Sequence, residues 1–100
     1  MNQVFRALAD PSRRQILQLL KARDMTAGEI AEHFSVSKPT LSGHFAVLRE
    51  AGLVAAEKQG NTITYHLNLS VLEDALLGFA DGFGIGQQKA RRSARARGYA

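Results

Sequence analysis

Residues 26–54 read TAGEIAEHFSVSKPTLSGHFAVLREAGLV, and this stretch decides the fold. Two helix starts lie within it. Thr26 and Glu29 have the spacing of a capping box, in which the threonine oxygen accepts the N–H three residues on and the glutamate reaches back. Met25 and Ile30 flank that cap as a hydrophobic staple. Ser37 caps a second helix, and Pro39 sits in its first turn, where a missing N–H costs little. Val36 and Leu41 repeat the staple. Leu41, Phe45 and Leu48 then recur at helical spacing, and Gly52 ends the helix as a C-cap. A short helix with Ile30, Ala31 and Phe34 inward, a tight turn and a longer helix with a polar leading edge make a helix-turn-helix.

The second helix uses its inner stripe on Leu41, Phe45 and Leu48. Its other side near the start offers Lys38, Thr40, Ser42, Gly43 and His44. Small residues let a backbone approach DNA closely, hydroxyls bond phosphates or base edges, and a helix start favours phosphate. A two-helix corner of some other small helical domain, with these groups merely solvated, is the alternative reading.

Working outward, Asn2 to Ala9 has Val4, Phe5 and Leu8 on one side of a short first helix. Asp10 caps the next helix, with Pro11 at its first position and Ile16, Leu17 and Leu20 as its apolar face, widened by Leu19. Arg13 and Arg14 flank that face, either solvated or as phosphate contacts. After Gly52 the period changes. Leu53 and Val54 open a strand, Gln59 to Thr62 is a turn, and Thr62 to Leu67 alternates with Ile63, Tyr65 and Leu67 inward. This hairpin is a wing whose tip offers Lys58, Gln59, Asn61 and Thr62; a lone hairpin is marginal, so it must lean on the helices. Ser70 with Glu73 reads as a third capping box. It opens a last helix striped with Val71, Leu72, Ala75, Leu76, Phe79, Ala80 and Phe83, weakened toward its end by Gly78, Gly82, Gly84 and Gly86. That stripe is more apolar than so small a body needs, which predicts pairing with a second chain. Facing the protomer's own core is the other reading.

The chain has 100 residues, the size of one domain, mainly α with a small β-hairpin. With no cysteine there is no disulfide frame and no thiolate metal site. No apolar run is long enough to span a bilayer and no signal-peptide core opens the chain, so membrane insertion is not expected and a cytoplasmic location is. The net charge of +4 is uneven. Lys89, Arg91, Arg92, Arg95 and Arg97 give residues 87–100 a charge of +5 with no acid, so the other 8 cations and 9 acids leave residues 1–86 at −1. The expected organisation is therefore a folded unit over 1–86 and a basic tail over 87–100. The tail either extends the last helix or becomes ordered on an acidic surface, gripping the DNA backbone or only solvating the end.

Three segments in this order resemble the ArsR family of bacterial winged-helix repressors: Ala7-Leu8-Ala9-Asp10-Pro11-Ser12-Arg13-Arg14-Gln15-Ile16-Leu17, Ser37-Lys38-Pro39-Thr40-Leu41-Ser42-Gly43-His44 and Leu48-Arg49-Glu50-Ala51-Gly52-Leu53-Val54. The likeness covers about residues 2–83. The run Asp24 to Phe34 further resembles the metal-free subgroup typified by the sporulation-delay autorepressor. The resemblance implies a winged helix-turn-helix of five helices with the hairpin between the fourth and fifth. It implies a homodimer through the first and last helices, by way of Val4, Phe5, Leu8, Leu72, Leu76, Phe79 and Phe83. Two departures stand out: the family often has an arginine-rich wing, absent here, and commonly shows Ser-His-His where this chain has Ser42-Gly43-His44. Family metal sensors place cysteines where this chain has Ala27, Gly28 and Ile30, or an Asp/His set on the last helix, which here has Asp74 and Asp81 but no histidine. No metal site is carried over, and no cofactor is expected.

An enzyme lacks parts. Ser42 and His44 are two apart on a helix and point to different sides, no acid orients the histidine, and there is no glycine-rich phosphate loop. His33, His44 and His66 lack metal-ligand spacing. The expectation is a homodimeric regulator, a repressor and in one version an autorepressor, on a double-stranded operator. Thr26 and Ser37 anchor phosphates; Lys38, Pro39, Thr40, Ser42, Gly43 and His44 face bases or the adjoining backbone; Lys58 and Asn61 touch at the wing. Release by a sequestering protein or by a small-molecule inducer stays open. The competing reading is a winged-helix protein-interaction module without specific DNA binding, which salt dependence separates.

Overall fold

The computed structural model describes residues 2–86. In order these form α1 (Asn2–Leu8), α2 (Pro11–Ala22), β1 (Met25–Thr26), α3 (Ala27–Ala31), α4 (Lys38–Glu50), β2 (Val54–Gln59), β3 (Thr62–Leu67) and α5 (Leu69–Gly82). The basic tail expected over 87–100 lies outside the described residues.

Helices α2, α3 and α4 each start where the cap predicts. Asp10 accepts the N–H groups of Ser12 at 2.7 Å and Arg13 at 3.2 Å, with Pro11 in the first turn. At α3 the capping box is complete: Glu29 N–H donates to Thr26 Oγ1 at 3.1 Å and Thr26 N–H donates to Glu29 Oε1 at 2.9 Å. At α4, Thr40 N–H donates to Ser37 Oγ at 3.3 Å. These bonds satisfy donors that a helix start otherwise leaves open.

The helix ends follow one device. Gly52 N–H bonds the Arg49 carbonyl at 2.9 Å and Leu53 N–H bonds the Leu48 carbonyl at 3.0 Å, the paired closure that needs a left-handed residue, supplied by Gly52 at φ 75°. The same closure ends α5, with Gly84 at φ 71° and Ile85 N–H on the Ala80 carbonyl at 2.7 Å. The last helix therefore stops at Gly82.

Beneath these elements lies one core. Ile16, Ile30, Leu48 and Leu53 are fully enclosed, joined by Leu17, Leu20, Met25, Leu41, Phe45, Val54 and Tyr65. The Phe45 and Tyr65 rings stack with centroids 4.4 Å apart, tying α4 to β3.

Three sequence expectations need correction. The sheet has three antiparallel strands in the order β1-β3-β2, not two. Met25 pairs with Tyr65 and Thr26 with Thr64, so the residues that staple and cap α3 also cover the free edge of β3. Ser70 does not open α5: Asn68 stands at the cap without a side-chain cap bond. Its amide instead donates to the Gly52 carbonyl at 3.0 Å, and its N–H bonds the Leu53 carbonyl at 2.9 Å, fastening the start of α5 to the end of α4. Val4, expected at a dimer seam, is buried in the protomer's own core with Ala7.

Candidate nucleic-acid interface

The leading part of α4 has two faces of opposite character. Leu41, Phe45 and Leu48 are locked into the core. Ser37, Lys38, Pro39, Thr40, Ser42 and Gly43 are all exposed. The polar edge of the helix is held outward by the burial of its apolar one. Ser37 Oγ also donates to Thr40 Oγ1 at 2.9 Å, which fixes two hydroxyls at the helix start. A Cβ built at Gly43 meets nothing within 4 Å, so this point of the surface is both bare and open.

The neighbouring elements extend this edge. A shallow cleft between α3 and α4 is lined by Ala27, Gly28, Lys38 and Ser42 among others. A second depression shares Ala27 and Gly28 and is lined also by Thr26, Asn61 and Thr62. The expected contacts Thr26, Lys38, Ser42 and Asn61 thus lie along one continuous surface from α4 to the wing tip. Gly60 and Asn61 form the two-residue turn of that wing, and Lys58 is exposed beside it, opposite Ile63.

His44 does not share this surface. It is half-buried, its side chain 13% exposed, and its ring is turned toward α2. Nδ1 lies 3.2 Å from Arg13 Nη1, and Nε2 lies 4.0 Å from Asp10 Oδ1. Arg13 is half-buried and Arg14 exposed, and both turn their guanidinium groups to α1 rather than to the polar edge of α4. Arg13 Nε donates to the Ala7 carbonyl at 2.8 Å and Nη2 to the Arg6 carbonyl at 3.0 Å, while Arg14 donates to the Leu8 carbonyl at 2.7 Å. Both cap the carbonyl end of α1. Sequence reading missed this because a carbonyl acceptor on another helix leaves no mark in residue type.

Two carboxylates bear on this geometry. Partial burial raises the Asp10 pKa, but the N–H groups of Arg13 and Ser12 and the nearby positive charge outweigh it, leaving the pKa below its ordinary value. Glu29 is lowered by the Thr26 N–H first and then by Arg23, whose guanidinium lies 3.1 Å away. Depressed carboxylate pKa values mean that these caps stabilise the fold above the ordinary carboxylate range and lose that contribution as pH falls below it. Of the remaining histidines, His33 is exposed and His66 half-buried on β3. Among the described residues no three His, Cys, Asp or Glu side chains gather as metal ligands.

A second exposed surface is apolar. On α5 only Ala75 is buried, while Leu76, Phe79 and Phe83 are 47%, 46% and 68% exposed. Phe79 packs edge-on against Phe5 of α1, centroids 5.2 Å apart, and against Phe83 at 4.9 Å. Leu8 and Leu72, the other expected seam residues, are partly buried against the core. The open ridge is therefore Leu76, Phe79 and Phe83, with the half-buried Phe5 packed beside it.

A capped helix-turn-helix with a hairpin beside it and an exposed polar edge on its second helix is a winged helix-turn-helix DNA-binding domain. The sequence model for the arsR family of bacterial regulatory proteins matches residues 10–56. The chain is 51% identical over 76 residues to the transcriptional repressor SdpR of Bacillus subtilis (strain 168), covering 76% of this chain and 84% of that one. It is 38% identical over 76 residues to the arsenical resistance operon repressor of Staphylococcus aureus, covering 76% and 73%. A solved ArsR-like transcriptional regulator from Rhodococcus sp. RHA1 superposes with a TM-score of 0.77 at 29% identity, covering 96% of this chain and 85% of that one. The protein belongs to the ArsR family, and it is a transcriptional regulator rather than an enzyme.

Proposed function

We propose that two copies pair through the Phe5, Leu76, Phe79 and Phe83 ridge and present two α4 helices to successive major grooves of a partly palindromic operator. Half-sites then lie about 10 bp apart or a small multiple of that. The observation that carries this reading is the polar edge of α4, fully exposed while its apolar edge is fully buried. Lys38, Thr40 and Ser42 meet bases or adjoining phosphates, Gly43 allows close approach, Thr26 and Ser37 stand at phosphates, and Lys58 and Asn61 touch from the wing. Occupancy of the operator blocks transcription. The gene's own upstream region is the first DNA to try, as an autorepressor requires. Thiolate-based metal release has no ligands here, since the chain has no cysteine. Release instead falls to a sequestering protein or a small molecule at the dimer seam.

Fluorescence anisotropy against the upstream fragment tests this. Affinity should fall steeply as salt rises, with log K declining by roughly 0.9 per phosphate contacted for each decade of salt. A Thr40→Ala/Ser42→Ala double variant should lose discrimination between this fragment and random duplex. Salt-independent binding, or discrimination untouched by the double variant, would refute it.

A further inference from the structure

The group around His44 joins the two surfaces just described. Phe5 on α1 packs beside the apolar ridge, and the carbonyls of the next two residues, Arg6 and Ala7, are both held by the Arg13 guanidinium. The remaining arm of that guanidinium reaches His44 on α4, directly after the exposed pair Ser42 and Gly43. Asp10, the cap of α2, faces the other ring nitrogen. An unbroken line of contacts thus runs from the ridge through α1 and α2 to the recognition helix.

The donors and acceptors along the line are complementary. A guanidinium only donates, so the Nδ1 that faces it must present a lone pair. The other ring nitrogen, Nε2, faces Asp10 Oδ1 at 4.0 Å. An imidazole can accept from Arg13 on one edge while its other nitrogen faces Asp10, and few other side chains of that size offer an acceptor and a donor on opposite edges.

The geometry points to His44 and Arg13 as positioning residues that set the angle between α1 and α4, and so the half-site spacing the dimer accepts. This rests on the proposed reading that α4 enters the major groove and the ridge forms the dimer. In that arrangement two recognition helices are related through two copies of the Arg13–His44 link. Any looseness in the link broadens the separation of the two helices without removing a DNA contact.

The test uses the full chain. Wild-type protein first selects its site from a random duplex library, and that site is then remade with its half-sites moved closer or farther by 1 or 2 bp. His44→Ala should flatten the spacing preference and weaken the selected site by about tenfold, the scale of a coupling residue outside the contact surface. Its salt slope and dimer dissociation constant should match wild type. His44→Gln, whose amide also accepts on one side and donates on the other, should restore the preference. Arg13→Ala should behave as His44→Ala does, and the double variant no worse than either alone. A spacing profile unchanged in His44→Ala overturns the inference, as does a salt slope lower by about one, which would make His44 a phosphate contact. Selection of a single half-site, or of no site, by wild-type protein would instead defeat the underlying reading of the dimer on DNA.

Discussion

The two long helices expose themselves for opposite reasons. α4 buries Leu41, Phe45 and Leu48 and shows Lys38, Thr40 and Ser42 along its leading edge. α5 is one residue longer yet buries only Ala75, and it leaves Leu76, Phe79 and Phe83 open. The first helix is complete within its protomer, and its exposed edge is free to meet a polar, charged partner. The second is incomplete within its protomer, because open phenyl rings and leucine gain by leaving water. An exposed surface is thus informative only when set against what the same helix has already buried.

Substitutions can sharpen that contrast. The largest effect is expected at Leu48, which is fully enclosed on the inner face of α4. Leu48→Ala should cost roughly 2–5 kcal/mol by chemical denaturation, through lost burial and the cavity left behind. Leu76→Ala, on the open ridge, should cost the isolated protomer no more than about 0.5 kcal/mol. Equal losses at both positions in dilute protein would erase the distinction between the helices.

Next comes Phe79, which touches both Phe5 and Phe83. Phe79→Ser should raise the dimer dissociation constant by about a hundredfold, as for a central aromatic in an interface, read by sedimentation velocity. The protomer should stay folded. A dimer indifferent to this change would place the seam elsewhere.

The smallest effect is the most discriminating. Gly43 lies inside α4 with open space where a Cβ would stand. Gly43→Ala should raise thermal stability by about 0.5–1 kcal/mol, the usual gain for removing a helical glycine. Its affinity for DNA should nevertheless fall, since a backbone pressed against a groove has no room for the methyl group. Gain in both would mean that no close approach occurs there.

Much of this architecture is legible in the residues because its signals are local. Caps at Asp10, Thr26 and Ser37, the Leu41–Phe45–Leu48 stripe and the closure at Gly52 each depend on neighbours within a turn. What was not legible depends on partners distant in sequence. A two-residue strand such as Met25–Thr26 is too short to show a period, and its pairing with β3 exists only once the chain has folded back. Ser70 and Glu73 have cap spacing, but Asn68, drawn to the end of α4, starts the helix first. His44 follows the recognition residues in sequence yet faces α2, because two positions along a helix is more than half a turn around it. Val4 and Phe5 look equivalent as apolar residues of α1, and only the packing sends one to the core and the other to the ridge.

The absence of cysteine allows the central claim to be probed at one chosen point. A Ser42→Cys variant carrying an iron chelate on its thiol should cut bound operator at two places, one in each half-site, separated by about one helical turn or a small multiple of it. The same chelate placed at Leu77, 61% exposed on α5, should leave the DNA intact. Bound DNA that is uncut from position 42, or cut equally from position 77, would contradict the assignment of the α4 edge as the surface that reads DNA.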